Sequence, residues 1–186
     1  MLLAVVVVGV PVAAVALFFS AIVGSPGSCD SAGRQAPDTP ALAASFQQKW
    51  DQFNVELAAG DPSGTVVFDE GETTSRARLW LEDHDAPISD LVICFGEATA
   101  GASGKVSLPF VPGDVDILVR GRMAMTGENP EADVQEIEVG GLPGPFTDLV
   151  EAFVTDLIED QTSQLDLARG YDVSFAAGEA TITGRP

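Results

Sequence analysis

The sequence holds one histidine, two cysteines and nine lysine and arginine residues, against 28 aspartate and glutamate residues. A single histidine makes a serine–histidine–aspartate triad hard to build, and the sequence contains no other convincing catalytic motif. The formal net charge of −19 excludes nucleic acid as a partner, because phosphate binding needs a cationic face. We therefore expect a protein that is not an enzyme and that uses no metal and no cofactor.

The N-terminal segment has no charged residue between Leu2 and Val23, and the first charge is Asp30. A helix of this length spans roughly 33 Å, which is enough for the core of a bilayer. A cleaved signal peptide is the alternative, but its apolar region is usually about 7–15 residues long. No lysine or arginine precedes the run to hold the N-terminus in the cytoplasm. We expect residues 1–24 to be a single-pass anchor in the cell membrane, with the domain on the extracytoplasmic side.

Residues 25–40 are rich in glycine, proline and serine and have no periodicity, so they are interpreted as a flexible linker. Cys29 lies in this linker, and Cys94 lies in the apolar stretch "LVICF". A disulfide between them can form outside the cytoplasm. The simpler interpretation treats Cys94 as a small buried hydrophobe, and both alternatives stay open.

Residues 41–186 have the pattern of one α+β domain. Apolar residues at three- and four-residue steps predict a helix over 41–57 and another over 70–85, with a short strand at 65–69 between them. Four strands and a further helix follow, and a hairpin over 171–184 closes the sequence. This order predicts an α+β fold with a mainly antiparallel sheet packed on amphipathic helices.

The strand predicted over 114–127 alternates between apolar and charged side chains, which predicts a sheet with one dry face and one wet face. The next strand, over 131–141, loses its alternation between Val134 and Ile137, which indicates a β-bulge. The dry side of the first strand consists of Val115, Ile117, Val119, Met123 and Met125, and the wet side has Asp116, Arg120 and Arg122.

The stretch "VGGLPGPF" over 139–146 predicts a fixed corner between a strand and a helix. Gly140 and Gly141 let the backbone leave the strand at angles that other residues avoid. Pro143 and Pro145 prevent both continuation of the strand and an early helix. A helix is expected to begin near Pro145, with an apolar stripe that contains Phe146, Val150, Phe153 and Leu157.

Two short stretches have the residue types of functional motifs but not the required spacing. The stretch "GASGKVS" over 101–107 lacks the first glycine of a phosphate-binding loop and is interpreted as a hairpin turn. His84 lies among acidic residues in "LEDHDA", but consecutive residues at a helix end cannot converge on one ion. We expect His84 to act in packing or at the helix end.

The segment "EIEVGGLPGPFTDLVEAFVTDLIED" and the terminal hairpin resemble a group of small membrane-anchored bacterial envelope proteins, the YpmS-like proteins. The chain is more distantly similar to the lipomannan-elongation-factor group, whose members are tubular lipid-binding-like. The resemblance covers about residues 65–186. It implies a curved sheet wrapped on helices behind an N-terminal transmembrane helix. It carries over Gly141, Leu142, Pro143 and Pro145 as a structural corner, and no catalytic residue.

This resemblance also implies a lipid or other amphiphile held between the curved sheet and a helix, facing the outer side of the membrane. In this hypothesis the dry strand face and the helix stripe line an apolar interior. The alternative is a scaffolding or interaction module of the cell envelope with a solid core and no ligand. The predicted lining consists of Val115, Ile117, Val119, Met123, Met125, Phe146, Val150, Phe153 and Leu157.

We expect the full chain to stay with membranes through washes in high salt and in carbonate, because the predicted attachment is a spanning helix and not surface charge. Fractionation followed by immunoblotting measures this. Release of a soluble product whose N-terminus maps near residue 28 would instead identify the segment as a cleaved signal peptide.

Overall fold

The computed structural model describes residue 29 and residues 39–59, 64–107, 113–126, 129–140 and 171–185. The helices in this part of the chain are α1 (Pro40–Ala58) and α2 (Glu70–Asp83). The strands are β1 (Thr65–Asp69), β2 (Ile88–Gly96), β3 (Thr99–Ser107), β4 (Asp114–Thr126), β5 (Asn129–Val139), β6 (Tyr171–Ala176) and β7 (Glu179–Gly184). They form two antiparallel sheets, one in the order β1-β7-β6 and one in the order β2-β3-β4-β5.

The predicted α+β class is confirmed in the described residues, but the strands form two sheets instead of one. The physical reason is that α2 follows β1 directly and occupies the edge of β2, so β1 pairs with β7 of the terminal hairpin. The helix predicted to begin near Pro145 lies outside the described residues. So do Gly141, Leu142, Pro143 and residues 1–24.

Helix α1 begins at a capped proline and buries one apolar stripe. The Thr39 side chain accepts a hydrogen bond from the Leu42 amide at 3.2 Å, and Pro40 follows the cap, where its missing amide costs nothing. Trp50 is 1% exposed, and Phe46 stacks on Phe68 of β1 with ring centroids 3.9 Å apart. This stripe forms the centre of the apolar cluster between the helices and the three-stranded sheet.

Helix α2 is fixed at both ends by side chains. At its start Asp69 and Glu72 form a reciprocal capping box. At its end His84 Nδ1 donates a hydrogen bond to the Trp80 carbonyl at 2.8 Å, and the two rings stack at 4.4 Å. The expected packing role of His84 at a helix end is confirmed.

The same helix also takes the place of a neighbouring strand along the open edge of β2. Helix residues that are four positions apart in the sequence lie on one face, with about 6 Å between them. Alternate residues of a strand are about 6.6 Å apart, so three such helix residues can each reach one of three alternate strand residues. The pairs are Glu70 Oε1 with the Phe95 amide at 2.8 Å, Thr74 Oγ1 with the Ile93 amide at 2.9 Å, and Arg78 Nε with the Leu91 carbonyl at 2.6 Å. The helix thereby satisfies backbone groups that an edge strand would leave unpaired.

Each of two strand pairs in the four-stranded sheet contains an irregularity. Arg120 of β4 lies opposite Glu136 and Gly121 lies opposite Val134, so Gln135 is the extra residue, and the predicted bulge between Val134 and Ile137 is confirmed. In β2 the register shifts between Ser89 and Val92, where Asp90 has a φ of 53°. Such bulges increase the local bend and twist of a sheet.

The two sheets meet at the turns of two hairpins. The Ala98 amide donates to the Phe175 carbonyl at 3.1 Å, and the Gly178 amide donates to the Phe95 carbonyl at 2.9 Å. The rings of Phe95 and Phe175 stack with centroids 5.5 Å apart. Backbone bonds and aromatic packing together therefore join the hairpin turns.

We expect Thr74→Val to lower the free energy of unfolding by about 1–3 kcal/mol, because the buried Ile93 amide loses its acceptor while the shape of the side chain is kept. Urea denaturation measures the loss, and hydrogen exchange at the Ile93 amide should become faster.

The matched control is Thr65→Val, which removes an exposed hydroxyl contact to Thr183 at 3.2 Å and is expected to cost less than about 0.5 kcal/mol. Equal losses in the two variants would contradict the special importance of the β2 edge.

Candidate functional site

The described part of the predicted ligand-binding face is a buried aliphatic wall on β4. Val115, Ile117 and Val119 are 4%, 2% and 0% exposed. Val106 of β3 lies opposite Val115, and Val139 of β5 lies opposite Ile117. We call these five residues the β4 wall. Its residues are buried, but burial alone does not distinguish a ligand-binding face from an ordinary core.

The other predicted lining residues are only partly within the described chain. Met123 and Met125 lie on β4, but their side chains are outside the description. Phe146, Val150, Phe153 and Leu157 lie outside the described residues altogether. Gly140 is described, and its amide donates to the Asp116 carbonyl at 2.8 Å, which extends the β4–β5 pairing into the predicted corner.

The β4 wall continues into a face of small residues on β3. Ala102 lies opposite Val119, and Gly104 lies opposite Ile117. A Cβ atom on Gly104 would lie 3.1 Å from the Ser89 carbonyl oxygen, so a side chain there would crowd the β2 bulge. Ala100 and Ala102 belong to the apolar cluster under the helices, whereas among the described residues that cluster does not include the β4 wall.

The opposite face of the sheet carries a disulfide between Cys29 and Cys94, whose Cα atoms are 5.7 Å apart. A Cβ atom on Gly101 would lie 3.0 Å from Cys94 Sγ and 3.4 Å from Cys29 Sγ, so glycine provides the space for the bridge. The Cys29 amide also donates to Ser103 Oγ at 3.4 Å. The interpretation of Cys94 as a simple hydrophobe is therefore wrong, and Cys29 is fixed to the sheet.

Two further expectations about this face are corrected. The stretch "GASGKVS" forms the middle and end of β3 instead of a turn, because Gly101 and Gly104 accommodate the disulfide and the bulge. Leu118 lies between Asp116 and Arg120 on the face predicted to be wet, yet it is 0% exposed. The wet face is thus partly covered at Leu118, which lies opposite Ser103.

A buried carboxylate joins the two helices to β1. The Glu72 side chain is 4% exposed, and its Oε1 accepts a hydrogen bond from Ser45 Oγ at 2.6 Å. Its Oε2 accepts from Lys49 Nζ at 2.6 Å and from the Asp69 amide at 3.2 Å. Lys49 also donates to the Val67 carbonyl at 3.1 Å. The network is fully paired, which marks Glu72 as a structural group and not a catalytic one.

Burial by itself raises the pKa of the Glu72 carboxyl, but hydrogen bonds from Lys49, Ser45 and the Asp69 amide outweigh it and hold the pKa below its ordinary value of 4.5. A folded-state pKa below the unfolded one means that the ionised carboxylate stabilises the fold at pH values above the unfolded pKa. This stability is lost as the pH falls through the folded pKa.

A groove of about 450 Å³ lies between α1 and α2. Arg76 Nε is buried beside it and has no hydrogen-bond partner within the described chain. Leu79 is 41% exposed, which is high for a large hydrophobic side chain. The groove is lined by Thr39, Pro40, Ala43, Ala44, Gln47, Ser75, Arg76, Arg78, Leu79 and Glu82.

A second groove of about 630 Å³ lies between the end of α2 and the start of β2. It shares Arg78 and Glu82 with the first groove, and Asp90 at its rim pairs with Lys105 at 2.7 Å. The side chains of Asp90 and Lys105 are 67% and 43% exposed, so their pairing adds little stability. Among the described residues no group of three or more histidine, cysteine, aspartate and glutamate side chains could hold a metal ion.

Comparison with known proteins found no matching family model, no matching curated protein and no matching solved structure. The resemblance to envelope proteins therefore stays a prediction. Within the described residues no helix has both the length and the apolar character needed to cross a bilayer, and the predicted anchor lies outside them.

Sequence reasoning missed the Glu72 network and the Arg76 groove. Asp69 and Glu72 have the spacing of a capping box, so that part of the network could have been found from the sequence. The contacts of Glu72 with Ser45 and Lys49 depend on how α1 packs on α2. No sequence pattern indicated a special role for Arg76, because an arginine on a helix is ordinarily solvated.

We expect Glu72→Gln to lower the free energy of unfolding by about 1–3 kcal/mol at pH 7, because charge-assisted hydrogen bonds are lost. The difference from the wild type should shrink as the pH falls from about 4.5, the ordinary value, through the lower folded-state pKa, below which the wild-type carboxylate is itself protonated. Chemical denaturation at several pH values measures both effects.

Glu56→Gln is the control for Glu72→Gln, because Glu56 is exposed and its carboxylate accepts a hydrogen bond from Gln52 at 2.9 Å. Its replacement should cost less than about 0.5 kcal/mol. A Glu72→Gln deficit that stays constant from neutral to acidic pH would contradict the assignment of a depressed pKa.

Proposed function

We propose that the chain is a membrane-tethered, extracytoplasmic, non-catalytic domain that binds a lipid or other amphiphile against the β4 wall. The observation that carries the proposal is the wall itself. It is a set of buried aliphatic side chains that adjoins the cluster under α1 and α2 at Ala102 but, within the described residues, is not part of it. A buried apolar surface that extends beyond that cluster is what a lipid-binding interior requires.

The finer architecture belongs to the same proposal. In it the four-stranded sheet curves, and the helix predicted to begin near Pro145 provides the opposite wall with Phe146, Val150 and Phe153. The two bulges support curvature, because each inserts an extra residue into one strand only. The residues of this helix lie outside the described chain, so its position is part of the proposal.

The disulfide supports an extracytoplasmic location. Disulfides persist in oxidising compartments and are rare in the cytosol. Cys29 and Cys94 are both bonded, and the described chain has no free cysteine. Cys29 follows the predicted anchor by only a few residues, so the bridge would also hold the sheet close to the membrane.

The charge of the chain favours an apolar mode of binding. A net charge of −19 disfavours binding to anionic head groups by charge alone. An acyl chain needs no charged clamp, because each buried methylene contributes about 0.8 kcal/mol. A chain of moderate length therefore needs only apolar contacts to bind.

A scaffolding or interaction module is the second candidate. It is favoured by the solid core under the helices, where Trp50 lies within 6.4 Å of Phe53, Phe68 and Tyr171 between ring centroids. A packed core of this kind leaves no space for a ligand. If the β4 wall is packed in the same way, the scaffold is the better description.

Photo-crosslinking tests the amphiphile proposal. The full chain in vesicles is irradiated with a phospholipid that has a diazirine on its acyl chain, and the adducts are mapped by peptide mass spectrometry. We expect adducts within residues 113–126. Val119→Trp should reduce them at least tenfold without unfolding, because the larger ring fills the ligand space.

Val67→Trp is the matched control, because Val67 is 40% exposed on β1 and the substitution should leave the adducts unchanged. Adducts confined to residues 1–28 would show that the lipid contacts only the predicted anchor. Together with unfolding of Val119→Trp by overpacking, that result would replace the proposal with the scaffold.

A further inference from the structure

The groove between α1 and α2 contains a positive charge that has no described partner. Arg76 lies on α2 and lines this groove, and its Nε is buried. Within the described residues it makes neither a hydrogen bond nor an ion pair. The residue as a whole is partly exposed, and of its guanidinium nitrogens only Nε is among the buried unpaired atoms of the described chain.

An unpaired guanidinium nitrogen is unusual at a buried position. Buried polar groups are almost always satisfied, because removing them from water without a replacement partner is costly. The composition makes this arginine more unusual, since the chain has 28 acidic residues available to pair with nine basic ones. A nitrogen left in this state needs a partner from outside the described residues, either ordered water or a bound anion.

Most neighbouring polar groups of the groove are already engaged. The Thr39 amide donates to Ser75 Oγ at 3.2 Å, Gln47 donates to Asp51 at 2.8 Å, and Arg78 Nε donates to a β2 carbonyl at 2.6 Å. The acidic group of the lining is Glu82, six residues beyond Arg76 and about 9 Å along the helix axis. Arg76 is therefore the group positioned to receive an anion.

The other residues that line the groove indicate the chemistry of the rest of the ligand. Pro40, Ala43, Ala44 and Leu79 provide an apolar surface beside the arginine, and Leu79 is exposed along it. We propose that this groove binds a small carboxylate, whose head group pairs with Arg76 and whose short apolar part lies against Ala43 and Leu79. The planar guanidinium suits a carboxylate, which it can bind through two parallel hydrogen bonds.

This site is separate from the β4 wall. Its residues belong to the two helices, whereas the wall belongs to β3, β4 and β5. Loss of carboxylate binding would therefore leave acyl-chain cross-linking unaffected, and failure of the cross-linking would leave the carboxylate site untouched.

The test uses the full chain in phosphatidylcholine nanodiscs, titrated with butyrate and, separately, with 1-butanol as its neutral match. The Arg76 Nε–H signal is followed by ¹H–¹⁵N NMR. We expect saturable shifts with butyrate and an affinity for butanol at least tenfold weaker. Equal binding of the two compounds would overturn the proposal, because the groove would then select only apolar surface.

Arg76→Gln should reduce butyrate affinity at least tenfold, measured on other groove signals such as the Ala43 and Ala44 amides. Arg122→Gln makes the same change of charge at an exposed position of β4 and should leave the affinity unchanged. Arg76→Gln should also leave the melting temperature unchanged or raise it, because a buried nitrogen without a partner is removed.

Butyrate affinity that survives in Arg76→Gln would overturn the assignment. If Arg76→Gln does not fold, Arg76 is structural and the proposed role is also overturned, unless Arg76→Lys folds and binds butyrate more weakly than the wild type. That last result would support the proposal, because lysine keeps the charge but loses the planar fork.

Discussion

A strand at the edge of a sheet has backbone amides and carbonyls that need partners, and in this chain the two helices supply them with side chains. Helix α2 aligns Glu70, Thr74 and Arg78 with alternate residues of β2. Lys49 of α1 and Glu72 of α2 do the same for β1. Because the helices are bonded to the sheets by direction-specific contacts, their register is fixed as well as their burial.

This arrangement explains why there are two sheets. Once α2 occupies the outer edge of β2, the preceding strand β1 has no place beside it and pairs with β7 instead. The apolar stripes of the helices then cover the joint between the sheets, where the turns of the β2–β3 and β6–β7 hairpins exchange hydrogen bonds. The hydrogen bonds from α2 to the edge of β2 thus determine the strand order, and the strand order determines where the aromatic core forms.

Periodicity predicted the local elements well. The bounds of both described helices differ from the prediction by no more than two residues at either end, and the bulge in β5 was found because one extra residue shifts the alternation. The pairing of β1 was not predictable in the same way, since it depends on contacts between α2 side chains and a distant backbone. The Cys29–Cys94 bond also joins residues 65 positions apart, and no local pattern reports that distance.

The candidate sites differ in how much of each could be predicted from the sequence. The aliphatic side of β4 was readable from alternation alone, and its described residues are buried. Whether that side of β4 faces a ligand depends on how the helix predicted to begin near Pro145 packs against it, and the alternation of apolar and charged residues in β4 does not determine that packing. Arg76 is the opposite case, because its residue type is ordinary and only its surroundings make it notable.

The disulfide has a mechanical consequence for a chain held at its N-terminus. It closes a covalent ring with a sequence separation of 65, which stabilises the fold by about 4 kcal/mol in the chain-entropy account. In the proposed membrane-tethered chain, a pull on the N-terminus would enter the domain at Cys94 and pass directly into the four-stranded sheet. Helix α1 and β1 lie inside the ring and would carry none of that load, so tension could not peel α1 from its core while the bridge is intact.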